Sequence, residues 1–595
     1  MWTGIKELVN IKPKTSALPT RLVHKVKLIT DDMDVVNHFN DYFSGIADNI
    51  LKGRKYHGNK LYSDYLKSPV QNSFVFFECD VPEVEFLITA LQSSKSSGPN
   101  SIPVDLLKLV CKDEIAVPLS KIFNLSMNTG THPELLRTAM AIPIFKKGPK
   151  LEVGNYRPIS LLSNINKLLE KIIHKRVYKF LEKYKILYKY QFGFRLGHST
   201  NHALVEITEK IRKALDAGDL ACGIFIDLQK AFDTVNHDIL LNKLEHYGLR
   251  GTSNCWFKSY LSNRKQFVSI NGTNSSVKHI SHGVPQGSVL GPLLFLIYIN
   301  DLHHAIKYSH SYHFADDTNL LNISSSMKKI QKQVNIDLKL LFKWLLANKI
   351  SLNCSKTELI IFQKPGYELN FDIDIRLNGH KLTLSNHIKY LGIYLDKYLN
   401  GHYHAECVMN KLIRANGMLS KIRHFIGKTE LKSIYHSTFE SHLRYGTQVW
   451  YQSSTQEVKK RIFRLQKKAL RIMSFSDFRA PSSPLFKEWD IMKIEDLVTV
   501  QNCLLAHDFF KGALPESFED FFKTSESVND ISTRMTTTDS LWMPYCNSTT
   551  YGLNSISSIC IHLWNKLASI TKSSPTTLSR IAIKNGMPKY FIDSY

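Results

Sequence analysis

The run His313-Phe314-Ala315-Asp316-Asp317-Thr318 places two adjacent carboxylates after the apolar pair Phe314-Ala315 and before Leu320-Leu321-Asn322-Ile323. An apolar stretch, an abrupt acidic pair and a second apolar stretch predict a β-hairpin with its carboxylates at the tip. Neighbouring carboxylates repel one another. A divalent cation between them relieves the repulsion, and Mg²⁺ suits hard oxygen donors. An isolated Asp-Asp pair is also ordinary turn composition, so its meaning depends on what precedes it.

Two upstream stretches bear on it. Gly223-Ile224-Phe225-Ile226 is β-rich and ends at Asp227. Leu228-Gln229-Lys230-Ala231-Phe232-Asp233 follows, then Val235, Leu240, Leu241 and Leu244. This pattern predicts a strand with Asp227 at its carboxyl end and a helix starting at once, which aims a carboxylate from a rigid element. A helix N-cap is the structural alternative for Asp227. Asp233, six residues on, reads as a cap or a structural hydrogen-bond partner rather than a ligand. The other stretch is His282-Gly283-Val284-Pro285-Gln286-Gly287-Ser288 with Gly291-Pro292. Its glycines permit close backbone approach to a ligand, and Leu293 to Ile299 predict a buried helix behind it.

Taken in order, these stretches resemble the reverse transcriptase of non-LTR, LINE-type retrotransposons of the jockey and CR1 kind. The matching runs are Phe225 to Asp233, Gly283 to Pro292 and Phe314 to Asp317. Asn155 to Ser160 and Gln191 to Ser199 resemble the family's fingers motifs. Trp344 to Lys349, with Leu352-Asn353 and Lys356-Thr357, resembles the palm motif beyond the hairpin. Lys389 to Ile393, with Leu395-Asp396, resembles the primer grip, and Tyr551-Gly552 with Leu563-Trp564-Asn565 resembles the tail. The likeness spans roughly residues 95 to 570, and motifs in that joint order are highly specific.

The resemblance implies an α+β right-hand polymerase with fingers, a palm of antiparallel sheet plus helices, and a helical thumb. It implies RNA-directed DNA synthesis from a primer 3′-end, with Mg²⁺ or Mn²⁺, dNTPs, a template RNA and a primer or target DNA. Asp227 and Asp316 would bridge two metal ions, with Asp317 as the looser third member. Phe232 matches the bulky side chain that excludes a 2′-hydroxyl. Leu228, Gln286 and Gly287 would line the nucleotide and template side. Lys356 is a candidate proton donor to pyrophosphate, and Lys146 and Arg195 are candidates for triphosphate contacts. Such elements commonly carry an upstream endonuclease. None fits here, so the expectation is a fragment or truncated copy, placed in the cytoplasm and nucleus. A catalytically silent nucleic-acid-binding relative and an RNA-dependent RNA polymerase are the competing readings.

Composition agrees with a polyanionic partner. Across 595 residues, 77 Lys and Arg stand against 52 Asp and Glu, a net charge of +25. Nine cysteines are scattered without CxxC or zinc-finger spacing and read as reduced intracellular thiols. The longest apolar run, Val289 to Ile299, is too short to span a bilayer. Residues 1–60 read as a basic linker that turns amphipathic near Val35, and 61–140 as a helical extension. Fingers and palm take 141–375, the primer grip and thumb 376–480, and a less legible C-terminal region 481–595. In the thumb, Val458, Ile462, Leu465, Ala469 and Ile472 form a helical stripe. Lys460, Arg464, Lys467 and Arg471 line an adjoining face suited to a phosphate backbone. Ser93 to Asn100 and Thr533 to Thr538 read as loops.

Overall fold

The computed structural model describes residues 21–24, 27–51, 60–93, 98–99, 102–367, 372–528, 540–570, 576 and 579–594. The basic residues Lys6, Lys12, Lys14 and Lys25, most of the loop at 93–100 and the loop expected at 533–538 lie outside them. In chain order, the elements that matter begin with helix α1 (Asp32–Ser44) and strands β1 (Thr138–Phe145) and β2 (Tyr156–Leu161). Helices α2 (Asn164–Lys183) and α3 (Thr200–Ala217), strand β3 (Leu220–Ile226) and helix α4 (His237–His246) follow. Then come β4 (Arg264–Ile270), α5 (Leu290–Ile299), β5 (His310–Phe314), β6 (Asp317–Ser324), α6 (Met327–Ala347) and β7 (Glu358–Phe362). Helices α7 (His402–Ile422), α8 (Gln456–Met473) and α9 (Ile556–Ile570) complete the set.

The central sheet has the order β7-β3-β6-β5, and every pairing in it is antiparallel. β3 is buried along its whole length, as its unbroken apolar sequence requires when both faces are covered. Alternation sorts its neighbours. Ile224, Ile226, Leu320, Leu359 and Ile361 face the core shared with α2, α4, α5 and α6. Ala221, Phe225, Leu321, Ile360 and Phe362 face the core shared with α3, α7 and α8. A one-residue slip of β3 would exchange the two sets, so the register is strongly specified.

A second sheet, the fingers sheet, runs β2-β1-β4, with β1 antiparallel to β2 and parallel to β4. β2 holds Tyr156 to Ser160 of the stretch that resembles a fingers motif. Helix α1 begins at Asp31, whose carboxylate accepts the Met33 and Asp34 amides. Its stripe of Val35, Val36, Phe39 and Phe43 packs on Ala141, Tyr156, Val268 and Ile270. Asn40 fastens it, donating to Ser276 O at 2.7 Å and accepting from Gln266 Nε2 at 3.1 Å.

The thumb is helical as expected. α8 buries Val458, Ile462 and Ala469 against α7, while Leu465 and Ile472 are only partly covered. The C-terminal segment is part of this same body. Asp216 accepts the Asn547 and Ser548 amides at 2.9 and 2.8 Å. Glu209, one α3 turn away from Lys213, accepts the first α9 amides, Ile556 N at 2.9 Å and Ser557 N at 3.4 Å, and the Ser557 hydroxyl. All nine cysteines are free thiols. Among the described residues no helix is long and apolar enough to cross a membrane.

A carboxylate at a helix N-terminus both accepts orphan amides and favours the helix dipole. Replacing Glu209 by Ala leaves buried donors without an acceptor, at about 1–3 kcal/mol each. The expected outcome is amide exchange at Ile556 and Ser557 faster by about tenfold or more, with β3 amides little changed. Unchanged exchange at those two positions would show that Glu209 does not hold the tail.

Candidate active site

The ladder brings the three carboxylates together. Ile226 pairs with Thr318 across β3 and β6, so the next pair along the same register is Asp227 with Asp317. Directly opposed residues in an antiparallel pair lie about 5 Å apart at Cα and point to the same face. Asp316 occupies the two-residue turn between β5 and β6, after Ala315, which has φ 55°. An alanine in that left-handed region needs outside support. Gln191 supplies it, its Oε1 accepting the Ala315 amide at 3.0 Å and the Gly193 amide at 2.9 Å. His313 N donates to Tyr190 O, and Phe192 N to His313 O, so the loop pairs with β5. A Cβ on Gly193 would lie 2.3 Å from the Ala315 nitrogen, which explains a glycine in this loop better than a turn preference does.

These acids line one cleft of about 860 Å³ with Lys146, Lys147, Arg157, Leu228, Lys230, Phe232, Gln286, Gly287, Asn353 and Lys356. Burial raises Asp316, and the Asp227 charge raises it further. Asp317 keeps a solvent-facing edge in the cleft. The protein around its carboxyl group, then Asp316 and Asp227, pushes it up to about 6. Asp227 is held from the short 3₁₀ segment between α6 and β7, where Asn353 Nδ2 donates to its Oδ2 at 3.1 Å and Lys356 Nζ lies 3.4 Å from the same oxygen. The Asn353 amide also donates to Asp227 O at 2.9 Å. On the opposite wall Lys146 is pulled below its ordinary range by burial, then by the charges of Arg157 and Lys356. Burial does the same to Lys230.

The site therefore opposes anionic oxygens to crowded cations. Among the described residues no group of three acidic, His or Cys side chains is gathered tightly enough to hold a metal ion as it stands. The donor chemistry nevertheless fits a hard divalent cation. All three acids offer oxygen, and two carry raised affinity for protons because burial, and after it the neighbouring carboxylates, disfavours their charged forms.

Other expected residues divide. Phe232 stacks on Phe295 with ring centroids 4.3 Å apart and presents its edge to Phe194. Gln286 donates to Asp233 Oδ1 at 2.7 Å. Gly287 has φ 116°, and a Cβ there would lie 2.7 Å from Ser160 O. Arg195 is a correction. Its guanidinium makes a two-pronged pair with Glu182, at 3.0 and 2.9 Å, and donates to Tyr188 O. Its side chain is 7% exposed, and it does not line the cleft. The helix expected directly after Asp227 is a second correction. A short 3₁₀ turn, Ala231–Asp233, intervenes, and α4 starts only after Asn236, which caps it. The backbone of Lys230 turns left-handed there, φ 50°, and brings its ammonium into the cleft.

Sequence reasoning passed over Arg157, Lys230, Asn353 and Tyr42. Arg157 and Asn353 stood inside quoted motifs, and Lys230 is three residues past Asp227. Tyr42 gives no local signal, since it reaches the cleft only because α1 docks on the fingers sheet. In the thumb Lys460 and Arg464 are exposed, Lys467 lies 4.6 Å over the Phe463 ring, and Arg471 is turned aside to the Ala480 carbonyl.

Residues 144–395 match the family model for reverse transcriptase (RNA-dependent DNA polymerase). The chain carries a reverse transcriptase domain. It is 30% identical over 450 residues to the RNA-directed DNA polymerase from mobile element jockey of Drosophila melanogaster, covering 73% of this chain and 48% of that one. It is 29% identical to the jockey polymerase of Drosophila funebris, covering 74% and 48% of the two chains. It is 28% identical to the probable RNA-directed DNA polymerase from transposon BS of Drosophila melanogaster, covering 73% and 49%. The chain thus spans about half the length of these curated relatives. The domain contains every cleft acid named above, whereas α1 with Tyr42 lies ahead of it.

Because Asp317 is raised in the fold, its ionisation opposes folding. In metal-free buffer that cost is absent well below pH 4, where Asp317 is protonated in both states. It grows as pH climbs from about 4 to about 6 and is constant above. Asp317→Asn does not titrate, so its stability relative to the parent should increase with pH across that window and then level off. A stability difference that stays flat between pH 4 and 6 in denaturant titrations would contradict the reading.

Proposed function

We propose that this protein extends a primer 3′-end with deoxynucleotides on an RNA template. The observation that carries the reading is the gathering of Asp227, Asp316 and Asp317 with Lys146, Arg157, Lys230 and Lys356 in one cleft of the reverse transcriptase domain. A bound pair of divalent cations, held by Asp227 and Asp316 with Asp317 beside them, would supply charge neutralisation and a more acidic primer hydroxyl.

The chain's own residues do the rest. Lys146, Arg157 and Lys230 offer charge-assisted donors to the triphosphate, whose arrival would also relieve their mutual repulsion. The primer 3′-hydroxyl gives its proton to solvent, and its oxygen forms a bond to the α-phosphorus as the bond to pyrophosphate breaks. Lys356, released from Asp227, gives a proton to the departing pyrophosphate oxygen. Phe232, braced by Phe295, closes the space a 2′-hydroxyl would occupy and so favours dNTPs over NTPs. Gln286 and Gly287 line the nucleotide side. Lys460 and Arg464 on the exposed face of α8 give the thumb a cationic row for the primer–template backbone.

The test is primer extension on poly(rA)–oligo(dT) with dTTP, with and without Mg²⁺. Asp227→Ala and Asp316→Ala should each lower incorporation by about a thousandfold or more, a scale expected when a group essential to the transition state is lost. Primer–template affinity should stay within about threefold of the parent. Incorporation by either variant at parental rate contradicts the assignment. Parental protein that binds RNA but incorporates nothing points to a silent nucleic-acid-binding relative.

A further inference from the structure

Asp233 is a half-buried acid, with one carboxylate oxygen fully enclosed, that the reaction above does not use. It sits in the 3₁₀ turn Ala231–Asp233, between the metal-side strand β3 and helix α4. Two backbone bonds zip the Gln286 loop to this turn, Gly283 N to Val235 O at 2.8 Å and Val284 N to Phe232 O at 2.9 Å. Across the junction Gln286 Nε2 donates to Asp233 Oδ1 at 2.7 Å. The Gln286 backbone is fixed as well, its carbonyl accepting the Ser160 amide at 2.7 Å. Both side chains line the cleft.

The other carboxylate oxygen, Asp233 Oδ2, is buried without a hydrogen-bond partner. A buried acceptor left unpaired costs stability, and an unsatisfied group in a fold calls for a reason. Lys230 and Arg157 lie near enough to favour the charged form, but burial outweighs them and pushes the acid up to about 6. An uncharged residue would be the less costly choice for folding alone.

What a carboxylate has that an amide lacks is a single polarity. An ionised Asp only accepts, whereas a Gln side chain can turn either its NH₂ or its C=O toward a neighbour. We propose that Asp233 is a positioning residue that locks the Gln286 amide with its NH₂ inward, so that Gln286 offers its carbonyl oxygen to an N–H or O–H donor on the incoming nucleotide. This rests on the polymerase reading, since it gives Gln286 a nucleotide to meet. Asp233 touches neither nucleotide nor metal in this scheme. It acts through Gln286 and removes one of two amide orientations before the substrate arrives, which lowers the ordering cost of binding.

Asp233→Asn separates this role from a structural one. It keeps the shape but lets the pair adopt either hydrogen-bond direction, so the lock is lost while the fold is not burdened. With dTTP on poly(rA)–oligo(dT), Asp233→Asn should raise KM for dTTP by at least about fivefold. Its kcat should stay within about twofold and its thermal midpoint should be equal or higher. Gln286→Ala should raise KM similarly, and adding Asp233→Asn to it should change KM by less than about twofold, because residues acting as one unit are not additive. Parental KM in Asp233→Asn overturns the inference, as do KM effects that multiply in the double variant. A KM rise that comes with a lowered thermal midpoint also overturns it, since that is the mark of a structural role. Absence of any extension by the parental protein would instead overturn the polymerase reading and this inference with it, whereas extension with independent effects overturns this inference alone.

Discussion

The site depends on one strand register. β3 lies between β6 and β7, and its pairing of Ile226 with Thr318 carries Asp227 to a position opposite Asp317. Everything that fixes this register, from the apolar faces of β3 to the helices on both sides of the sheet, also fixes the distance between like charges. Burial first, and the neighbouring carboxylates after it, raise the proton affinity of Asp316 and Asp317. Such perturbed acids in a cleft are the mark of a functional arrangement. Hairpin and loop share the load. Gln191 holds the left-handed turn at Ala315, and Asn353 holds Asp227 from the far edge.

The cationic wall comes from other parts of the chain. Lys146 ends β1, Arg157 stands on β2, Lys230 follows β3, and Lys356 precedes β7. The fingers sheet thus contributes Lys146 and Arg157 to the cleft, while Lys230 and Lys356 come from the ends of palm strands beside the acids. Ahead of the reverse transcriptase domain, Tyr42 on α1 and Ile46 and Asn49 on the short helix after it close one side. Ser548 and Ile556, beyond the domain's other end, are anchored by Asp216 and Glu209 on α3. The catalytic sheet is therefore held by segments from both sides of the domain that carries it.

Much of this was legible in sequence because short-range patterns carry it. The apolar run into Asp227, the acidic hairpin and the buried helix behind the Gly-rich loop each announce their element. Contacts made only on folding were not legible. Arg195 was read toward a triphosphate, but Glu182, thirteen residues earlier on α2, captures it once the loop closes. The apolar spacing of Val235, Leu240, Leu241 and Leu244 predicts a helix at once after Asp227, and the left-handed Lys230 that delays it has no sequence signature. Arg471 shares the helical face of Lys460 and Arg464, yet a local carbonyl takes its guanidinium. In the C-terminal region, the serines and amides that bind Glu209 and Asp216 carry no period, so nothing in their spacing marks the docking.

The central claim is that Asp227 and the adjacent pair Asp316-Asp317, distant from it in sequence, are assembled to hold divalent cations. Mn²⁺ titration of the full chain followed by electron paramagnetic resonance measures this without requiring turnover. The account predicts saturable Mn²⁺ binding near neutral pH that is weakened by about tenfold or more in Asp227→Asn and in Asp316→Asn, the scale on which loss of a ligand or its partner acts. Mn²⁺ binding equal in the parental protein and both variants would contradict it.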